Sequence, residues 1–221
     1  MIRVGLTGGT GSGKGYICSI FSNLGIKSID TDEVCRIVYK KGQKCYDELV
    51  SYFGDAILDH SGKIDRKSLF NSAFSDPERY DFLCRTAYRH ILLYTSDWLL
   101  KREEDGDIAA IIDAPMLFES GFSDECDFIV SVICDRETQI ERVTARDGIS
   151  KDAAIMRIEK QMSNDERIKK SDAVIYNGKA DEKTVSEQVN AVYEKIRMLY
   201  SKKHTEEQSD GKRGEPKENK E

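Results

Sequence analysis

The chain has 221 residues, a formal net charge of −6 and 39% hydrophobic residues. That length accommodates one α/β domain with insertions, not several independent domains, and the acidic balance argues against a general nucleic-acid binder, which carries a basic surface. No stretch approaches the roughly 18 apolar residues that span a bilayer, so no membrane association is expected.

Met1 leads directly into IRVGLT (2–7), an apolar run that reads as a buried parallel strand, with no basic-then-apolar leader before it. The expectation is a cytoplasmic chain. Six cysteines (18, 35, 45, 84, 126, 134) without CxxC or metal-ligand spacing fit reduced thiols in that compartment.

GGTGSGKGY (8–16) follows the strand and opens a helical stretch, YICSIFSNL. Gly8, four residues, Gly13 and Lys14 make the frame of a phosphate-binding loop, and the strand–loop–helix context distinguishes it from an ordinary glycine-rich turn. Glycines let successive N–H groups face an anion at a helix N-terminus. The candidate nucleotide-binding residues are therefore Gly9, Thr10, Gly11, Ser12, Gly13, Lys14, Gly15 and Tyr16, with Lys14 reaching the β and γ phosphates. The motif next calls for Ser or Thr, whose hydroxyl holds magnesium, but this chain has Gly15 and then Tyr16. Magnesium keeps several waters in most phosphate sites, so a water in the room left by Gly15 is expected to bridge loop and metal.

The second strand, IKSID (26–30), ends in IDTDEVCR. Asp30 and Asp32 stand at the C-terminal end of a parallel strand, where open α/β sheets bind ligands. A carboxylate there can take a proton from an attacking hydroxyl and help hold Mg²⁺; equally, Asp30 or Thr31 can cap the next helix. Residues 33–105 contain several helical stretches and no convincing strand, and read as a helical insertion covering a substrate. The third strand, IAAIID (108–113), ends at Asp113, a candidate metal-orienting acid. Glu119, six residues on, reads either as a site acid or as a loop charge. FIVSVIC (128–134) and DAVIY (172–176) are the fourth and fifth strands. Helical periodicity marks RETQIERVTARD, KDAAIMRIEKQM and EKTVSEQVNAVYEKIRML, where Val185, Val189, Val192 and Ile196 share one face. The last 21 residues lack large apolar side chains and read as a disordered tail, 201–221.

Strands alternating with helices imply a doubly wound α/β sheet. With the phosphate loop, the expected architecture is a P-loop kinase fold with a five-stranded parallel sheet. Its core is 1–32 and 106–200, with a helical lid at about 139–170 and the insertion at 33–105.

Several motifs in order carry a more specific likeness: LTGGTGSGK (6–14), LGIKSIDTDEVCR (24–36), FGDAIL (53–58), GKIDRKSLFNSAFSD (62–76), DAPMLFESG (113–121), the segment from QIERVTARDGIS to AIMRIEKQM (139–162) and DAVIYNG (172–178). In these the chain resembles the dephospho-coenzyme A kinases. The resemblance implies ATP and Mg²⁺ as cofactors and phosphorylation of the ribose 3′-hydroxyl of dephospho-CoA. It makes Asp32 the base and has Lys14 hold the phosphates. Arg142 and Arg146 become lid arginines over the transferred phosphoryl group, Asn177 and Gly178 shape the adenine site, and the insertion binds coenzyme A. A monomer or weak oligomer is expected. Two departures stand out. One is Gly15–Tyr16. The other is YRHI (88–91), where Tyr88 and Arg89 replace the family's His-Pro pair and His90 is displaced.

Two other functions fit parts of the sequence. GKG suggests a nucleoside monophosphate kinase, and loss of the metal-binding hydroxyl suggests a catalytically weak nucleotide-binding regulator. A GTPase does not fit, because NGKAD (177–181) lacks the NKxD spacing.

Overall fold

The computed structural model describes residues 1–179 and 181–211. Five strands form one parallel sheet: β1 (Ile2–Thr7), β2 (Lys27–Asp30), β3 (Ala109–Asp113), β4 (Phe128–Ile133) and β5 (Ala173–Tyr176), in the spatial order β2-β3-β1-β4-β5. The chain first moves outward from β1 to edge strand β2, then returns through β3, so the β1 C-terminus lies at the point where strand order reverses. Open parallel sheets bind ligands in that crevice.

Residue alternation along the strands assigns each face a helical layer. Ile2, Val4 and Leu6 of β1, with Ile111 of β3, pack against Ile17 and Phe21 of α1 (Lys14–Asn23) and Val185, Val189, Val192 and Ile196 of α9 (Glu182–Gly211). Ala110 and Ile112 face the other way. They meet side chains from α2 (Thr31–Val38), α3 (Lys44–Phe53), α4 (Arg66–Phe74) and α5 (Pro77–Glu104). At Gly5, on this second face, a Cβ would stand 2.8 Å from both Cys126 Sγ and Leu117 Cδ2. Glycine there lets the loop after β3 lie directly on the central strand.

The long α5 starts sharply because Asp76 accepts from the Glu78 N–H and Pro77 takes the first helical position. After β4 come α6 (Arg136–Asp147), α7 (Lys151–Glu159) and α8 (Asn164–Lys170). Gly148, at φ 64°, ends α6 and turns the chain back. Helix α8 was not expected from apolar periodicity, yet Ser163 and Glu166 form a reciprocal capping box at its start.

The expected boundary of the tail needs correction. The stretch 201–211 does not leave the fold at Tyr200 but continues α9 to Gly211, while 212–221 lie outside the described residues. Lys and Glu are strong helix formers and extend a helix without a core to pack on. Lys203 also reaches Asp127, 3.3 Å away.

Phe21 is fully buried between sheet and α9. Phe21→Ala should cost about 3–5 kcal/mol of unfolding free energy in urea, with the denaturant slope unchanged. A loss below about 1 kcal/mol would mean that α1 is not anchored there.

Candidate active site

The loop between β1 and α1 is crowded everywhere except at one position. Gly11 and Gly13 have φ of 78° and 86°, a backbone region natural to glycine. A Cβ on Gly9 would stand 2.7 Å from Gln139 Nε2, and one on Gly11 2.8 Å from the Gln139 carbonyl. On Gly13 it would collide with Asn177 Nδ2, and on Gly8 with the Val132 carbonyl. At Gly15, in the first turn of α1, nothing lies within 4 Å. Gly8, Gly11 and Gly13 are thus imposed by backbone geometry and close packing, whereas Gly15 leaves open space.

Thr10, at the tip, is held by all three of its polar groups. Its N–H donates to Gln161 Oε1 at 2.7 Å, its carbonyl accepts from Gln139 Nε2 at 3.1 Å, and its hydroxyl lies 3.4 Å from Arg146 Nη2. Gln139 and Arg146 come from α6, and Gln161 follows α7. Arg146 also makes a two-pronged pair with Asp147, at 2.7 and 2.9 Å, and Asp147 receives Arg157 of α7 at 2.7 Å. The hydrogen bond from Arg146 leads in holding the Asp147 carboxyl below its ordinary value.

Arg142, expected as a lid arginine, is engaged by backbone carbonyls. Its guanidinium donates to the carbonyls of Asn177 (2.8 Å), Gly11 (3.3 Å), Ser12 (3.4 Å) and Gly178 (3.3 Å). Asn177 in turn donates from Nδ2 to the Ser12 carbonyl at 2.8 Å. Together these side chains bolt the β5–α9 connection to the phosphate loop. They line a recess of about 350 Å³ with Gly13, Tyr16, Gly178, Glu182 and Val185. Tyr16, which follows the departure at Gly15, forms part of this wall.

The carboxylates occupy the same edge of the sheet. Asp30 and Asp113 are register partners on neighbouring strands. Asp30 is a helix cap, accepting from the N–H groups of Asp32 (2.8 Å) and Glu33 (3.4 Å). This capping separates the two acids of DTD: Asp30 is committed to α2, while the Asp32 side chain is exposed and makes no hydrogen bond or ion pair among the described residues. Asp113 is enclosed. Lys14 Nζ lies 3.5 Å from its Oδ1, and Cys18 donates to Oδ2 at 3.6 Å. Burial raises the Asp113 carboxyl above its ordinary value; Lys14 pulls against the rise and Asp30 adds to it. Burial and Asp113 push the Cys18 thiol up to about 12, so it remains a neutral donor. Asp113 Oδ1 is buried without a hydrogen bond. Among the described residues no cluster of three or more His, Cys, Asp or Glu could hold a metal ion by itself.

Several participants were not legible in the sequence. Arg167, in the basic run RIKK, carried no motif signal and is fully buried. It donates to Thr7 Oγ1 (2.8 Å), to the Pro115 carbonyl (3.3 Å) and to the Met162 carbonyl (3.3 Å), and its Nη2 lies 3.6 Å from Glu119. Glu119 thus stands beside a buried cation as well as in a loop. Gln139, Gln161 and Arg157 carried no motif signal of their own. In the second departure, Tyr88 packs edge-on against Phe122 at 5.2 Å, while Arg89 and His90 both bind Glu48.

The sequence profile of the dephospho-CoA kinase family matches residues 2–182. A curated dephospho-CoA kinase of Fusobacterium nucleatum is 37% identical over 174 residues, covering 79% of this chain and 88% of its own length. Among solved structures, TT1252 from Thermus thermophilus superposes with a TM-score of 0.76 at 26% identity, over 88% of this chain and 97% of its own. The dephospho-CoA kinase from Campylobacter jejuni has the same fold, with a TM-score of 0.66 at 24% identity over 89% and 98% of the two chains. No helix among the described residues is long and apolar enough to cross a membrane.

The contrast within the loop gives a stability test. Gly13→Ala should lose more than about 2 kcal/mol, since a left-handed residue and a collision with Asn177 add together. Gly15→Ala should gain about 0.4–1 kcal/mol, as expected for an unstrained helical glycine. Chemical denaturation of both variants checks the pair, and equal effects would contradict the packing described.

Proposed function

The chain belongs to the dephospho-CoA kinase family, and from that premise we propose how its residues carry the γ-phosphoryl group of ATP to the ribose 3′-hydroxyl of dephospho-CoA, giving coenzyme A and ADP. The observation that carries the assignment of roles is the separation of the two DTD carboxylates. Asp30 is consumed as a cap, whereas Asp32 is exposed and its side chain unbonded among the described residues, following β2, the neighbour of the strand that ends in Asp113, whose carboxylate Lys14 approaches.

The loop amides and Lys14 bind the ATP phosphates at the start of α1, where N–H groups and the helix dipole favour an anion. The recess between Arg142, Tyr16 and Asn177–Gly178 receives the adenine. In this reading Arg142 shapes the nucleotide site by fixing loop carbonyls. Arg146 and Arg157, joined through Asp147, are the cations of the α6–α7 arm that offset charge on the transferred group. Asp32 orients the 3′-hydroxyl and accepts its proton. The helices between β2 and β3 bind the rest of the acceptor and shield it from water, which suppresses ATP hydrolysis.

Magnesium suits the donor set. Asp113 Oδ1 is a buried, unbonded carboxylate oxygen beside Lys14, and hard cations take oxygen ligands. Asp113 and Asp32 would hold the ion, with a water in the space beside Gly15, and the ion would neutralise phosphate charge. Free thiols fit a reducing compartment, and the reading extends to a cytoplasmic enzyme acting as a monomer or weak oligomer. Nothing among the described residues favours the monophosphate-kinase or regulatory alternatives.

A coupled ADP-release assay tests the acceptor. Dephospho-CoA should stimulate ADP formation at least about tenfold over AMP or no acceptor, the scale of a few orienting contacts. Equal stimulation by AMP would favour a monophosphate kinase. For the base, Asp32→Asn should lower kcat by about 10² or more while the KM for ATP stays near the parent value. Turnover close to the parent would reduce Asp32 to an ordinary first-turn acid.

A further inference from the structure

The mechanism gives roles to Arg142, Arg146 and Arg157 and none to the arginine that is fully buried. Arg167 sits in α8, the short helix that the Ser163–Glu166 capping box starts. Its guanidinium reaches three chain segments. Nη1 donates to Thr7 Oγ1 at 2.8 Å and to the Pro115 carbonyl at 3.3 Å, and Nε donates to the Met162 carbonyl at 3.3 Å. Thr7 closes the figure by donating its own hydroxyl to the Pro115 carbonyl, at 3.3 Å.

Each segment carries a different part of the site. Thr7 ends β1 and is followed by Gly8, where the phosphate loop starts. Pro115 is two residues past Asp113. Met162 follows Gln161, whose Oε1 accepts from the Thr10 N–H at the loop tip. A guanidinium holds its donors at fixed angles in one plane, so these segments cannot shift against one another without losing a bond to it. The position is otherwise a poor one for a cation. Nη2 is buried without a hydrogen bond, 3.6 Å from Glu119 Oε1. Burial lowers the Arg167 guanidinium below its ordinary value, and Glu119 pulls against the fall. An apolar side chain would fill the same volume without stranding a donor, so space-filling does not account for the arginine.

We propose that Arg167 is a positioning residue, whose buried guanidinium fixes the start of the phosphate loop, the turn after Asp113 and the α7–α8 connection relative to one another. The proposal rests on the reading that the phosphate loop and Asp113 act together on the ATP phosphates. The pairing of β1 with β3 and β4 does not involve Arg167, so its loss should leave the binding surfaces formed and relax only their separation. A misplacement of about 1 Å can cost about 10²-fold in turnover, and the loss falls on kcat where ground-state binding is kept.

Turnover per folded molecule, KM for both substrates and urea denaturation test this on Arg167→Lys, Thr7→Val and Thr7→Ser. Arg167→Lys keeps the charge and loses the planar fork. It should lower kcat by about tenfold or more, with both KM values within about twofold of the parent. Thr7→Val leaves the guanidinium in place and removes the hydroxyl that joins it to β1, so it carries the test if Arg167→Lys does not fold. It should lower kcat by about fivefold or more, whereas Thr7→Ser, which keeps the hydroxyl, should stay within about twofold. A purely structural role would instead lower the denaturation midpoint of Arg167→Lys and Thr7→Val while kcat per folded molecule stayed at the parent value, and that result would overturn the proposal. So would a loss of kcat in Thr7→Ser as large as that in Thr7→Val. Failure of the parent itself to phosphorylate dephospho-CoA would overturn the acceptor reading; the same kcat ratios, measured on the parent's ATP hydrolysis, would then decide the role of Arg167 separately.

Discussion

Space around the loop between β1 and α1 is the constraint on which the site depends. Side chains are excluded at Gly8 by the Val132 carbonyl and at Gly11 and Gly13 by left-handed backbone together with Gln139 and Asn177. That crowding holds the loop against β4, α6 and the connection after β5. Arg142 and Asn177 then attach the loop to the connection after β5, so the loop and the recess beside it share the same contacts.

The carboxylates show how one sheet edge supplies different chemistry from the same residue type. Asp30 spends its oxygens on helix N–H groups and Asp113 is enclosed beside a lysine, while Asp32 is open to whatever approaches α2. Local structure alone assigns these roles: capping fixes the first, burial the second, and one helical step carries the third out to solvent.

Much of this was legible in the sequence, and the rest was not for definite reasons. The five strands, the phosphate loop and the apolar face of α9 come from periodicity and glycine spacing, signals that local chain geometry imposes. Helix α8 was announced by Ser163 and Glu166 but by no apolar stripe, and so passed unread. The end of α9 was misread because absence of a core was taken as absence of a helix. Arg167 could not have been found, since a buried arginine has the same local sequence as an exposed one and only tertiary placement distinguishes them. The carbonyl contacts of Arg142 are not legible either, because four-residue spacing fixes a shared helical face and not what that face meets. The glutamines that hold Thr10 are defined by contacts more than 120 residues apart in the chain.

Thr10 makes those contacts more than a brace. A single loop residue whose amide, carbonyl and hydroxyl are all engaged by the α6–α7 hairpin acts as a clutch between two bodies. While it is engaged, the hairpin cannot swing away without dragging the loop tip, and the loop tip cannot loosen without releasing the hairpin. A displacement of the hairpin that leaves the loop tip in place would break all three contacts at once, so the two are joined through one residue rather than along an extended surface.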